Sequence, residues 1–222
     1  MADVTRIKFC GITRPEDAAA ACEAGAWAIG LIFVPTSKRF VRAEHALDVC
    51  AAVAPTALKV GVFANQSATV IGKVLERVPL DLVQLHGHET NEQCDEIAAL
   101  PGVGRDRLIK AVVMFDASDV ERVLAYRVHH LLIDQPKEGL PDSKPEVDPA
   151  LARDLVRRAP CTLLAGGLNA ANVGDLIQRI RPWGVDIASG VEVRPGIKDP
   201  AAIREFAAAV RAADAIERGV SQ

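Results

Sequence analysis

The chain has 222 residues, half of them hydrophobic and a quarter charged, with a formal net charge of −3 at pH 7. This composition supports a large core and excludes a disordered chain, and the small negative charge gives no support to binding of nucleic acid. Residues 1–5 contain no apolar signal core, and no apolar run approaches the ~18 residues that span a bilayer. We therefore expect a cytoplasmic protein without membrane contact.

Eight short apolar runs, rich in β-forming residues, alternate along the chain with eight segments of helical periodicity. We predict strands at residues 7–12, 28–33, 58–63, 82–86, 108–114, 131–134, 162–165 and 185–189. We predict helices at residues 15–24, 43–53, 68–77, 91–100, 118–126, 149–158, 170–180 and 200–213. Strict alternation of this kind indicates right-handed βαβ units and a parallel sheet.

Eight such units close naturally into a barrel, whereas an open doubly wound sheet usually has five or six strands. No Gly-x-Gly-x-x-Gly pattern follows the first strand, which counts against a dinucleotide-binding fold. Thr13 and Asp148 precede Pro15 and Pro149, and a capping residue followed by proline is typical of a helix start. Because no linker divides the chain, we predict an α/β fold, a single-domain (β/α)₈ TIM barrel over residues 1–222.

The cysteines are five in number and scattered, without a Cys-x-x-Cys spacing. They are Cys10, Cys22, Cys50, Cys94 and Cys161. We expect reduced thiols, since these spacings do not favour a disulfide or zinc framework. There is also no His-Glu-x-x-His and no EF-hand pattern, so no metal site is expected. The four cysteines after Cys10 fall in helices or at a strand start, where we expect them to fill space.

In a (β/α)₈ barrel the functional residues lie at the carboxyl ends of the strands. At the end of the first strand, Lys8 and Cys10 share one face. If that face is the interior, the ammonium favours a thiolate, and Cys10 is a base or nucleophile; the alternative is a small core residue. After the second strand, Lys38 and Arg39 suit a carboxylate or phosphate, or form a solvated surface pair.

The fourth and sixth strands end on titratable side chains. His86 shares a face with Gln84 and is either a ligand contact or a core histidine with satisfied hydrogen bonds. Asp134 closes a strand that is otherwise apolar, which suits general acid–base chemistry or a loop hydrogen bond.

The seventh and eighth strands end on turns that contain glycine, at Gly166, Gly167, Ser189 and Gly190. Glycine lets backbone N–H groups approach an anion, and many barrels bind phosphate between these two loops. We therefore predict a phosphate site there. Asp186, within the eighth strand, requires a buried partner if it points into the barrel.

Seven segments in chain order together resemble the phosphoribosylanthranilate isomerase family of tryptophan biosynthesis. They are KFCGIT (8–13), PTSKR (35–39), VGVF (60–63), VQLHG (83–87), AGGLN (165–169), VDIASGVE (185–192) and PGIKD (195–199). The resemblance extends from the first strand to the last helix. It implies an Amadori rearrangement, in which an aminoaldose phosphate becomes an aminoketose phosphate, without redox change and without a cofactor.

The resemblance also assigns roles to individual residues. It implies that Cys10 is the general base, that Asp134 is the general acid, and that Arg39 meets the anthranilate carboxylate. It places the phosphate at the Gly166–Gly167 and Ser189–Gly190 turns. His86 and Asp186 are further candidates for substrate binding from their positions on the strands. The partner implied is a small phosphorylated metabolite, bound by a monomer or a homodimer.

Residues 140–148 depart from the family pattern, because Pro141 and Pro145 stand in a loop that is usually rich in glycine. Proline fixes φ and removes backbone donors, so we expect a stiffer loop with unchanged chemistry. The alternative is a loop that no longer closes over anthranilate and admits another aminosugar phosphate. Two alternatives to the isomerase stay open. One is a Schiff-base aldolase or decarboxylase with Lys8 or Lys110 as the amine, and the other is a binding barrel without catalysis.

Overall fold

The structure, a computed structural model, describes residues 4–134 and 148–220. Eight parallel strands form a closed barrel in the order β1 to β8, with β8 paired to β1. Their bounds are Arg6–Cys10, Ala28–Ile32, Leu58–Phe63, Leu82–Leu85, Leu108–Val112, His130–Ile133, Thr162–Leu164 and Gly184–Ile187. The predicted (β/α)₈ fold is confirmed, while the assignment of all 222 residues to one domain stays a prediction. The atypical loop at 140–147 lies outside the described residues.

The helices α1 to α8 follow the strands one by one, as predicted. Their bounds are Pro15–Glu23, Ala43–Ala51, Ala68–Leu75, Asn91–Ala98, Ser118–Leu124, Pro149–Arg158, Val173–Ile180 and Pro200–Val220. None of the helices in the described ranges is both long enough and apolar enough to cross a bilayer.

One helix start and one helix cap differ from the sequence prediction. Helix α7 begins later than predicted because Asn169 and Asn172 close a turn, in which Asn172 Oδ1 accepts from the Asn169 amide at 2.8 Å. At α1 the capping prediction is wrong, since Thr13 instead donates its hydroxyl proton to the carbonyl oxygen of Gly196. At α6 it is confirmed, because Asp148 accepts from the Ala150 amide at 2.9 Å.

The sequence prediction missed the structure between β8 and α8. A short 3₁₀ helix, Ser189–Val191, is followed by an antiparallel hairpin of β9 (Glu192–Arg194) and β10 (Ile197–Lys198). These strands are two and three residues long, and strands so short carry no periodicity that a sequence pattern can show. The hairpin matters because it carries Glu192 and Lys198 to the rim of the barrel.

Side chains alternate between the barrel interior and the layer under the helices, as the two-residue period of a strand requires. On β5, Ile109 and Ala111 point inward, so Lys110 points outward. Its ammonium donates to Glu89 Oε2 at 2.9 Å and to the carbonyl oxygen of Gly87 at 2.8 Å. Lys110 therefore does not face the barrel interior, which counts against it as the amine of the Schiff-base alternative.

Aromatic rings close the amino-terminal end of the barrel. The ring of His130, at the start of β6, lies 4.7 Å from Trp183 and 5.6 Å from Trp27, measured between centroids. Burial, together with repulsion from the neighbouring His129, lowers the pKa of His130 to about 4. His130 is therefore neutral at physiological pH.

This burial predicts a loss of stability in acid. The unfolded chain takes up a proton at His130 near pH 6.5, whereas the folded chain takes it up only near pH 4, so the stabilising difference is lost as the pH falls between these values. We expect the wild type to lose on the order of 2 kcal/mol more unfolding free energy than His130→Gln between pH 7 and pH 4. Urea unfolding at both pH values measures this, and equal losses in the two proteins would contradict it.

Candidate active site

A cavity of about 1070 Å³ opens at the carboxyl ends of the barrel strands. All nine site residues predicted from the sequence line it: Cys10, Arg39, His86, Asp134, Gly166, Gly167, Asp186, Ser189 and Gly190. They come from six different strands or the loops that follow them. Parallel closure of the barrel brings them together, because every strand end with the same direction meets at one rim.

A buried ion pair lies directly under Cys10. Lys8 and Asp186 are register partners on β1 and β8, and Lys8 Nζ donates to Asp186 Oδ1 at 2.8 Å. Burial opposes the charge on Lys8, but Asp186 and Cys10 outweigh it and raise the pKa of Lys8 above its ordinary value. The buried partner that Asp186 requires is thus Lys8. A lysine held protonated in this way is a poor amine nucleophile, which counts against the Schiff-base alternative.

Cys10 ends β1 with its side chain buried toward the cavity. Burial raises the pKa of the Cys10 thiol, and Lys8 opposes this by attraction and by a hydrogen bond. The resting side chain is therefore a thiol, with a cation beside it that stabilises the thiolate when it forms. Gly30, opposite Cys10 on β2, leaves room for the sulfur, since a Cβ at Gly30 would lie 2.9 Å from Cys10 Sγ.

A second chain of hydrogen bonds crosses the cavity wall from β4 to β6. His86 Nε2 lies 3.1 Å from Asp134 Oδ2, and His86 Nδ1 lies 2.8 Å from Gln84 Nε2. Gln84 is fully buried and holds the imidazole from below. With Nδ1 accepting from the amide, the proton of His86 is on Nε2 and is shared with the Asp134 carboxylate.

A third network joins the loop after β2 to the β9–β10 hairpin. Arg39 donates from Nε and Nη2 to the two carboxylate oxygens of Glu192, at 2.8 and 2.6 Å. Lys198, fully buried, donates to Glu192 Oε1 at 2.9 Å and to the carbonyl oxygen of Cys10 at 2.7 Å. Burial lowers the pKa of Lys198 against the opposing effect of Glu192. Among the described residues, the Nη1 group of Arg39 has no protein acceptor.

The turn after β7 offers backbone donors to the cavity. Gly166 and Gly167 have φ values of 84° and 61°, a left-handed conformation that side chains other than glycine rarely adopt. Their amides donate to no acceptor within the described part of the chain and line the cavity beside Ser189 and Gly190. Successive free amides of this kind form an anion-binding concavity.

Sequence analysis missed two residues that organise the site, Glu192 and Lys198. Both fall in segments that carry the family resemblance, but nothing in their local pattern shows that Lys198 is buried or that it reaches Cys10. The hairpin that places them also escaped prediction. The part that Glu192 and Lys198 play in the site is shown by tertiary contacts, such as the hydrogen bond from Lys198 to Cys10. These two residues are 188 positions apart in the sequence.

The fold and this cavity together define a (β/α)₈ barrel with groups for proton transfer and for anion binding at the carboxyl ends of its strands. A family model described as N-(5'phosphoribosyl)anthranilate (PRA) isomerase matches residues 7–209. The chain belongs to this family.

Individual relatives agree with the family match. The N-(5'-phosphoribosyl)anthranilate isomerase of Pseudomonas paraeruginosa is 41% identical over 214 residues, 93% of this chain and 95% of that protein. A crystal structure of phosphoribosyl anthranilate isomerase in complex with reduced 1-(o-carboxyphenylamino)-1-deoxyribulose 5-phosphate has a TM-score of 0.82 at 38% identity, over 94% of this chain and 99% of that one. Monomers generated from the dimeric enzyme of Thermotoga maritima give a TM-score of 0.81 at 36% identity, with the same coverage.

The buried thiol of Cys10 predicts a distinctive pH profile of alkylation. Because burial raises its pKa, the rate of reaction with iodoacetamide rises with pH beyond the point at which a free thiol levels off. Peptide mass spectrometry after timed alkylation follows Cys10 alone, with glutathione in the same tube as the reference thiol. A Cys10 profile that levels off at or below the pH of the glutathione profile would refute this.

Proposed function

We propose that this chain catalyses the Amadori rearrangement of N-(5′-phosphoribosyl)anthranilate to 1-(2-carboxyphenylamino)-1-deoxyribulose 5-phosphate, a step of tryptophan biosynthesis. The observation that carries the proposal is that Cys10 and Asp134, from β1 and β6, line one cavity, each with a hydrogen-bonding partner that governs its proton. An isomerisation of this kind needs one acid and one base and no change of oxidation state.

The proposed first step uses Asp134. In its carboxylic acid form, Asp134 donates its proton to the furanose ring oxygen, the C1′–O bond breaks, and the nitrogen lone pair forms the protonated Schiff base. The Asp134 carboxylate that remains accepts the hydrogen bond from His86 Nε2. Gln84, at 2.8 Å from His86 Nδ1, keeps the imidazole oriented toward Asp134 throughout. His86 is therefore proposed as a positioning residue for the acid.

The proposed second step uses Cys10. The Cys10 thiol first loses its proton to solvent, and the thiolate then removes the proton from C2′. The electron pair of the C2′–H bond moves toward the iminium nitrogen to give an enolamine, which tautomerises to the aminoketose. Lys8, held protonated by Asp186, provides the positive charge that stabilises the buried thiolate. The ion pair below Cys10 thus has a catalytic purpose, in addition to filling the interior.

Two further groups are proposed to bind the ends of the substrate. The Nη1 edge of Arg39 meets the anthranilate carboxylate while Glu192 holds the other edge of the guanidinium. The phosphate lies against the amides of Gly166 and Gly167 and the turn at Ser189–Gly190, where barrels of this architecture frequently bind phosphate. Asp186, also at the cavity wall, acts through Lys8.

We propose a cytoplasmic enzyme that acts on this small phosphorylated metabolite as a monomer or a homodimer. The net charge of −3 provides no excess of basic side chains for nucleic acid. A dimeric relative makes the homodimer a reasonable arrangement, and size-exclusion chromatography with light scattering distinguishes the two states.

Substitution of the acid or the base should reduce turnover. We expect Cys10→Ala and Asp134→Asn each to lower kcat by about 10²–10⁴-fold with little change in KM, because proton transfer is lost and binding is retained. The assay follows the loss of fluorescence of phosphoribosylanthranilate generated in situ. Cys22→Ala, at a partly exposed cysteine outside the cavity, is the matched control. Near-normal kcat in Cys10→Ala would require a different base.

Substitution of Arg39 should weaken binding instead. We expect Arg39→Ala to raise KM about 10- to 100-fold, because a charge-assisted hydrogen bond to the substrate carboxylate is lost. Arg39→Lys keeps the charge but not the planar pair of donors and should fall between the two proteins. A fall in kcat alone, with KM unchanged, would remove Arg39 from carboxylate recognition.

A further inference from the structure

The amino-terminal end of the barrel, opposite the cavity, brings two histidines and a cysteine together. One nitrogen of His129, one nitrogen of His130 and the sulfur of Cys161 lie within 4.8 Å of one another. None of the three has a part in the proposed reaction. Two imidazoles and a thiol are the donor set that zinc and other borderline-soft cations prefer.

Strand register produces this cluster. Leu131 on β6 is paired with Thr162 on β7, so the residues before them, His130 and Cys161, lie level at the end of the barrel. The Thr162 hydroxyl donates to the carbonyl oxygen of Ala159 at 2.6 Å, which fixes the turn that carries Cys161. The two donors are therefore held by the sheet and by this turn.

The hydrogen bonding of His130 prepares it for a metal. Its Nδ1 lies 3.3 Å from the carbonyl oxygen of Cys161, and a proton on Nδ1 donated there leaves the lone pair of Nε2 free. The rings of Trp183 and Trp27 hold it in place.

We propose that His129, His130 and Cys161 bind a zinc ion at the amino-terminal end of the barrel. Zinc–nitrogen and zinc–sulfur bonds of about 2.0 and 2.3 Å require donors about 3.5 Å apart, so the cluster must contract by about 1 Å. His129 is exposed and can supply this movement by rotation of its side chain. Water takes the fourth position, on the solvent side.

The expected role of the ion is structural. It joins β6 to β7 at the end of the barrel away from the cavity, and residues at that end of a barrel serve stability more than catalysis. A ligand that binds only the folded chain stabilises it by RT ln(1 + [L]/Kd), so the melting temperature rises with ligand concentration. Zinc should therefore raise Tm without taking part in turnover.

Equilibrium dialysis of the full chain, prepared without a histidine tag, tests the site with zinc alone. We expect one tightly bound Zn²⁺ per chain in the wild type. Loss of an outer-shell partner weakens metal binding by about 10–100-fold. Because Cys161 and His129 are proposed as direct ligands, Cys161→Ser and His129→Gln should each weaken zinc binding by more than that. His129 is exposed and Cys161→Ser conserves volume, so both variants should fold. Cys22→Ser and His45→Gln replace the same residue types away from the cluster, so these control variants should bind zinc as the wild type does.

Two spectroscopic measurements locate the ion. Both tryptophans of the chain lie beside His130, so zinc should change the intrinsic fluorescence of the wild type and not of Cys161→Ser. Cobalt in place of zinc should give a sulfur-to-metal charge-transfer band that Cys161→Ser lacks and Cys10→Ala keeps. Zinc that binds Cys161→Ser as tightly as the wild type, or that is lost in Cys10→Ala, would overturn the proposal.

Discussion

The ion pair between Lys8 and Asp186 determines much of the site. It spans β1 and β8, the seam at which the barrel closes, and both side chains are buried. Replacement of such a pair by apolar residues of similar volume is often neutral or stabilising, so stability alone does not explain its presence. Its position under Cys10 is consistent with the proposed reaction, because the pair keeps a positive charge beside the thiol that we propose as the base.

The rest of the rim is arranged around that charge. Lys198 binds the carbonyl oxygen of Cys10 and the carboxylate of Glu192, and Glu192 in turn orients Arg39. The backbone at Cys10 is thereby connected to the side chain proposed to receive the substrate carboxylate. On the far side of the cavity, His86 is hydrogen-bonded to Asp134. The residues proposed as acid, as base and as the carboxylate-binding group are therefore each held by a partner to which no reacting role is assigned.

The two ends of the barrel differ in the polarity and purpose of their side chains. The carboxyl end collects a thiol, carboxylates and glycine turns around open volume, whereas the amino-terminal end packs Trp27, Trp183 and His130 ring against ring. Packing of this kind tolerates a neutral imidazole and disfavours a charged one, which is why the pKa of His130 falls.

Sequence alone determined the order of elements, the barrel and nine residues of the cavity, because alternation of apolar runs and the residues at strand ends are local properties. It did not determine that Lys110 points outward, since a register shift of one residue reverses every side chain of a strand. Nor did it show the hairpin with Glu192 and Lys198, or the approach of His130 to Cys161. These depend on pairings between residues distant in the chain, and only closure of the barrel decides which of them meet.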